Sequence, residues 1–181
     1  MTKIIEFTGT PEAGKTTTIH LLKEKLGPKV HVIEESCENM KSYLPRGAKE
    51  EALYMVIAMM KDYIEALYQN YDYVLIDRGL YDRYFWNNYS YARGDITKEK
   101  KEERDSFINH PHFDYHADLL VVFKIDPDEA IRRRGGEGRF VTKDRLEKYN
   151  QSLEVFTKNF DKTNILEVDT TKLSKEEVVY K

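Results

Sequence analysis

A chain of 181 residues is long enough for one good core and short for two, so a single domain spanning residues 1–181 is expected. Lysine and arginine total 29 against 32 acidic residues, a formal net charge of -3, which argues against a nucleic-acid or anionic-membrane partner and fits a small polar ligand. Cys37 is the one cysteine, so no intramolecular disulfide can form and a reducing cytoplasmic setting is expected; the N-terminus lacks a signal-peptide pattern, and the longest apolar run, 52–60, is short of the ~20 residues a membrane-spanning helix needs.

The chain opens on an apolar strand, "KIIEFT", followed by Gly9, Gly14, Lys15 and Thr16 in the spacing G-x-x-x-x-G-K-[ST] and then by a helical stretch, "KTTTIHLLKEKL". A strand before and a helix after are what this motif needs. Backbone N–H groups from Gly9 to Thr17 can wrap phosphates, and the helix N-terminus adds its positive dipole end. Lys15 is expected to reach the β- and γ-phosphates, and the Thr16 hydroxyl to hold Mg²⁺. The side chains of Thr10, Pro11, Glu12 and Ala13 are free to point elsewhere. A carboxylate facing the γ-phosphate would oppose binding, so Glu12 is expected to lean toward solvent, an acceptor hydroxyl or a basic partner in a lid.

A second strand, "VHVIE", runs into "ES", so that Glu34 and Glu35 stand at its end and point to opposite faces of an extended chain. Glu35 is the better candidate for the cleft, as a base if the acceptor is a hydroxyl. The following helix, "KEEALYMVIAMMKDYIEALYQ", carries the apolar run and suits either the core or a homodimer face. The strand "YDYVLID" places Asp77 at its carboxyl end, where an acid can meet Mg²⁺, and Arg78 next to it can orient an acceptor or clamp a phosphoryl group. The helix "LYDRYFWNNYSYA" is dense in aromatic rings that belong mostly to the core. One or two, with Tyr54 or Tyr43, can stack on a flat acceptor such as a nucleobase.

The charged stretch "TKEKKEERD" reads as a solvated helix face with pairs such as Lys98/Glu102. Next come the strand "ADLLVVFKI" and the helix "PDEAIRRR", which runs into "GGEGR". Residues 132–141 read as a lid. Arg132, Arg133 and Arg134 step about 100° apart and cannot all aim at one point. Gly135, Gly136 and Gly138 supply the hinge that lets Arg139 swing in, to stabilise charge on the transferring group and exclude water. A long helix, "TKDRLEKYNQSLEVFTKNF", the strand "NILEVD" and a short helix opened by the capping box "SKEE" complete the chain.

Strands alternate with helices and are apolar nearly throughout, which predicts a five-stranded parallel sheet covered on both faces, a three-layer α/β/α sandwich. Ligands in such sheets sit beyond the carboxyl ends of the strands.

These residues resemble the P-loop nucleoside and nucleotide kinases, most nearly deoxyribonucleoside kinases and thymidylate kinases. "GTPEAGKTT" is similar to their phosphate loop, "EES" stands where they carry Glu-Pro, "DRGLYDRYFW" is similar to their acid-Arg-Ser-x-Tyr…Asp-Arg-Tyr run, and "RRRGGEGR" to their lid. The resemblance implies the P-loop nucleoside triphosphate hydrolase type of fold, ATP and Mg²⁺ as donor and cofactor, and an acceptor held between the second and third strand ends and the lid. Departures are visible. Thymidylate kinases often carry an acid one position before Glu12, Glu35 lacks the following proline, and Gly79 replaces the serine of deoxyribonucleoside kinases. The expectation is therefore a kinase acting on a nucleoside or nucleoside monophosphate, with Lys15, Glu35, Asp77, Arg78, Arg134 and Arg139 as candidate catalytic residues. The alternatives are a kinase of another small hydroxyl compound and a P-loop ATPase or nucleotide switch without a small acceptor.

Overall fold

The computed structural model describes residues 2–35, 51–110, 115–138 and 141–181. Cys37, Tyr43 and Arg139 lie outside the described residues.

Five parallel strands form one sheet: β1 (Lys3–Gly9), β2 (Val30–Ile33), β3 (Tyr73–Asp77), β4 (Leu119–Lys124) and β5 (Asn164–Asp169). Their order is β2-β3-β1-β4-β5, so β1 is central, with Phe7 level with Asp77 on one side and Val121 on the other. The chain leaves β1 toward β2 and later returns to add β4 on its far side. That reversal opens a crevice at the carboxyl end of β1. Strands flanked on both faces need apolar side chains on both, which is why β3 and β4 read as continuous Val/Leu/Ile runs.

Seven helices are described: α1 (Lys15–Leu26), α2 (Glu51–Leu67), α3 (Leu80–Ala92), α4 (Lys98–Ile108), α5 (Pro127–Arg134), α6 (Lys143–Asn159) and α7 (Lys175–Val178). One face of the sheet packs Ile4, Val74, Ile76, Leu120 and Val122 against α2, α3 and the later turns of α6. The other packs Phe7, Leu75, Val121 and Phe123 against α1, α5, α7 and Leu146 of α6. The outcome is the three-layer sandwich expected from the alternation.

Local signals set the helix ends. Asp126 accepts from the amides of Asp128 (2.9 Å) and Glu129 (3.1 Å) to start α5, with Pro127 in the first turn. Gly135 at φ 86° ends it. The capping box at Ser174 and Glu177 is present. On α4 the Lys98/Glu102 pair forms at 3.6 Å on an exposed face, as the charge pattern suggested. Helix α2 buries Val56, Met59, Met60, Tyr63 and Ala66 and leaves Leu53, Ile57 and Ile64 exposed. Among the described residues no helix is long and apolar enough to cross a membrane.

Candidate active site

The phosphate loop joins β1 to α1 at the centre of the crevice. Gly9 has φ 128°, and a Cβ there would lie 2.6 Å from the Phe123 amide nitrogen, so the tight exit from β1 requires glycine. Lys15 is buried, and its Nζ donates to the carbonyls of Gly9 (3.0 Å) and Thr10 (2.9 Å). Burial, with the nearby Arg78 cation, pulls its pKa down to about 7. Thr10 is also buried; its hydroxyl donates to Asn150 of α6 (2.6 Å), tying the loop to that helix.

Thr16 and Asp77 come together although 61 residues separate them: the Thr16 hydroxyl donates to Asp77 Oδ2 at 2.5 Å. Asp77 Oδ1 is buried and has no hydrogen-bond partner among the described residues, and burial raises the carboxyl pKa above its usual range. An orphaned carboxylate oxygen beside a hydroxyl, next to a phosphate loop, fits a Mg²⁺ held largely through a nucleotide's own phosphates.

Arg78 follows with φ 61°, a left-handed conformation costing roughly 1–2 kcal/mol for a residue bearing a Cβ. Its amide is fixed by the Phe7 carbonyl (3.0 Å). Its guanidinium reaches Asp82 Oδ1 (3.1 Å), Glu35 Oε2 (3.2 Å) and the Gly9 carbonyl (3.4 Å). Burial opposes the charged form, but Asp82, Tyr149 and Glu35 outweigh it and hold the pKa well above the usual arginine value. Of the two acids after β2, Glu35 meets Arg78, while Glu34 lies 3.8 Å from His20 on α1.

Lid residues divide. Arg132 and Arg133 share Glu129, at 2.6 and 2.9 Å, and those bonds hold the Glu129 pKa down to about 2. Arg133 also donates to the Thr170 carbonyl (2.6 Å). Arg134 points across to the phosphate loop, 3.6 Å from Glu12. Glu12 is thus paired with the last arginine of α5 and remains partly open to solvent.

Several residues here were not singled out in the sequence. Glu6, fully buried on β1, accepts from the amides of Tyr81 (3.2 Å) and Asp82 (2.7 Å) and from the Tyr115 hydroxyl (2.5 Å). Thr8, two residues on, donates its hydroxyl to Asp82, and Tyr149 of α6 donates to the Gly9 carbonyl at 3.1 Å. An acid inside the otherwise apolar "KIIEFTG" was the signal for Glu6. Most of the α3 rings serve the core, Tyr81, Phe85 and Tyr89 being buried.

Two clefts flank the loop. The larger, about 680 Å³, is bounded by Gly14, Thr17, Arg132, Arg133 and the turn from Thr171 to Lys175, a wall the sequence reading did not assign to the site. The smaller, about 170 Å³, lies on the other side, among Glu35, Arg78, Trp86, Tyr89, Arg145 and Tyr149.

A protein-family profile described as an AAA domain matches residues 4–171. The chain belongs to this family. The match takes in the phosphate loop and the smaller cleft of this AAA-domain chain and stops at Thr171, on the wall of the larger one. Among solved structures it is similar to deoxyadenosine kinase from M. mycoides with bound dATP: TM-score 0.76, 21% identity, covering 97% of this chain and 95% of that one. It is similar too to the same enzyme with the products dCMP and a flexible dCDP bound: TM-score 0.75, 22% identity, covering 98% and 95%. At this identity the likeness establishes the fold, the α/β P-loop kinase type. No curated protein sequence matches the chain.

Proposed function

We propose that the protein is an ATP-dependent, Mg²⁺-dependent kinase that moves the γ-phosphoryl group to a nucleoside or nucleoside monophosphate. The observation that carries this reading is the pair of clefts meeting at one phosphate loop. A nucleotide switch needs only the first. The second, closed by a guanidinium, a carboxylate and aromatic rings, suits an acceptor carrying a flat ring and a hydroxyl or phosphate.

The donor's triphosphate lies along residues 9–17, its nucleoside end toward the larger cleft and its terminal phosphate toward the smaller. Lys15 supplies charge to the terminal phosphates. Thr16 and Asp77 hold the Mg²⁺, which when bound neutralises phosphate charge. Arg78 orients the acceptor, and Glu35, 3.2 Å from its Nε, is placed to accept a proton from an acceptor hydroxyl. If the acceptor is a monophosphate, no base is needed and the pair only positions it. Arg134 covers the loop through Glu12, and Arg139 acts from the lid. Catalysis is then mainly positioning and charge stabilisation. The fold shared with deoxyadenosine kinases supports the reading.

A second reading, an ATPase or nucleotide switch, draws on the AAA-domain description. One experiment separates the two: ATP consumption with and without a panel of nucleosides and their monophosphates. Strong stimulation by one compound is expected. Full-rate hydrolysis without any acceptor would overturn the kinase assignment.

A further inference from the structure

β1 presents Ile4, Glu6 and Thr8 to the α3 side of the sheet, an apolar residue followed by two polar ones, and both polar side chains grip the start of α3. The helix has no side-chain cap of its own: its N-cap is Gly79. Glu6 takes over that role from β1, collecting two first-turn amides, while the Tyr115 hydroxyl donates to its Oε2 as a third partner. The glycine follows from this arrangement, because a Cβ at residue 79 would lie 2.6 Å from Glu6 Oε2. Next in line is Asp82, whose Oδ1 receives both the Thr8 hydroxyl and Arg78 Nη1. The left-handed backbone of Arg78 thus stands between the Phe7 carbonyl and a helical turn anchored by Glu6.

We propose that Glu6 is a positioning residue for the acceptor: by capping α3 across the sheet it fixes Asp82, and through Asp82 the Arg78 guanidinium beside Glu35. The proposal rests on reading the Arg78 cleft as the acceptor site. Only the ionised carboxylate accepts from all three donors; the protonated form can place its O–H on the Tyr115 oxygen alone, which ends the hydrogen bond that hydroxyl gives to Glu6. The groups facing Glu6 are Tyr81 and Asp82 at the start of α3, and Tyr115, itself packed on Tyr63 of α2. Burial puts the Glu6 pKa at about 7, and the Tyr115 hydrogen bond works against that rise. Removing the hydroxyl therefore moves the loss of positioning to higher pH.

The test is steady-state kinetics with ATP and the stimulating acceptor across about pH 6 to 9, for wild type, Glu6→Gln and Tyr115→Phe, with folding followed by circular dichroism. Glu6→Gln should raise acceptor KM about tenfold or more at the alkaline end with ATP KM nearly unchanged, since an amide puts an NH₂ where a donor already points. Tyr115→Phe should shift the acid limb of acceptor kcat/KM upward by about half a pH unit or more. If Glu6→Gln fails to fold, that shift alone decides. Folded variants with wild-type acceptor KM and an unmoved limb would overturn the proposal and leave the kinase reading intact. Turnover that no acceptor stimulates would instead sink the kinase reading, and this proposal with it.

Discussion

Arg78 Nε lies 3.2 Å from Glu35 Oε2, and the same guanidinium touches Asp82 and the Gly9 carbonyl, so one cation ties together the carboxyl ends of β1, β2 and β3. Arg78→Ala would strand Asp82, which is fully buried, and should cost about 3–5 kcal/mol in urea unfolding. Arg78→Lys keeps the charge and loses the planar fork. It should recover most of that stability while acceptor KM stays raised.

Lys15, with a pKa near 7, is only partly charged at physiological pH. A triphosphate in the loop favours the ammonium form, so nucleotide binding just above neutrality should take up protons. Calorimetry in two buffers of different ionisation enthalpy measures this directly. Lys15→Ala should abolish the uptake, keep the fold, and cut phosphoryl transfer by about 10²–10³-fold or more. Near-normal transfer by that variant would show that the phosphate site is misassigned.

Stability should depend on pH in two opposite branches. Glu6 is raised from 4.5 to about 7, so the stability it contributes is full below the unfolded value and lost as pH climbs through about 7. Lys15 is lowered from 10.5 to about 7, so its native form is disfavoured while charged, and stability returns as pH rises from about 7 toward 10.5. Together these two groups give a minimum near neutrality. Urea midpoints measured against pH should show it, and Glu6→Gln should remove the acid branch alone.

Asp77→Asn replaces one carboxylate oxygen with an amide while sparing the loop. Nucleotide binding without Mg²⁺ should change little, and the added thermal stabilisation that Mg²⁺ brings to the nucleotide complex should largely vanish. A variant that still gained from Mg²⁺ as wild type does would remove Asp77 from the metal site.

What could be read in advance follows the range of the interaction. The phosphate loop and α3, over Leu80–Ala92, were legible because their signals are local: fixed glycine spacing, an apolar strand before, helical periodicity after. Strand β2 stops at Ile33, one residue before the sequence suggested, which leaves Glu34 and Glu35 beyond the sheet. The strand order was not legible, because five apolar runs carry little record of their neighbours. Nor was the office of Gly79, which looked like a mere departure from a serine and proves to make room for Glu6. The arginine-rich stretch was visible as composition, yet only the fold pairs Arg132 and Arg133 with Glu129 and turns Arg134 to Glu12.

Glu6 is separated from its three donors by 75, 76 and 109 residues. During folding, the central strand therefore carries a charge that water alone can satisfy until α3 and the segment entering β4 have both arrived. Any premature collapse that buries that face against other partners traps a naked carboxylate and is driven apart again. The cost of burying that acid without its three donors favours the correct neighbours of β1 over others.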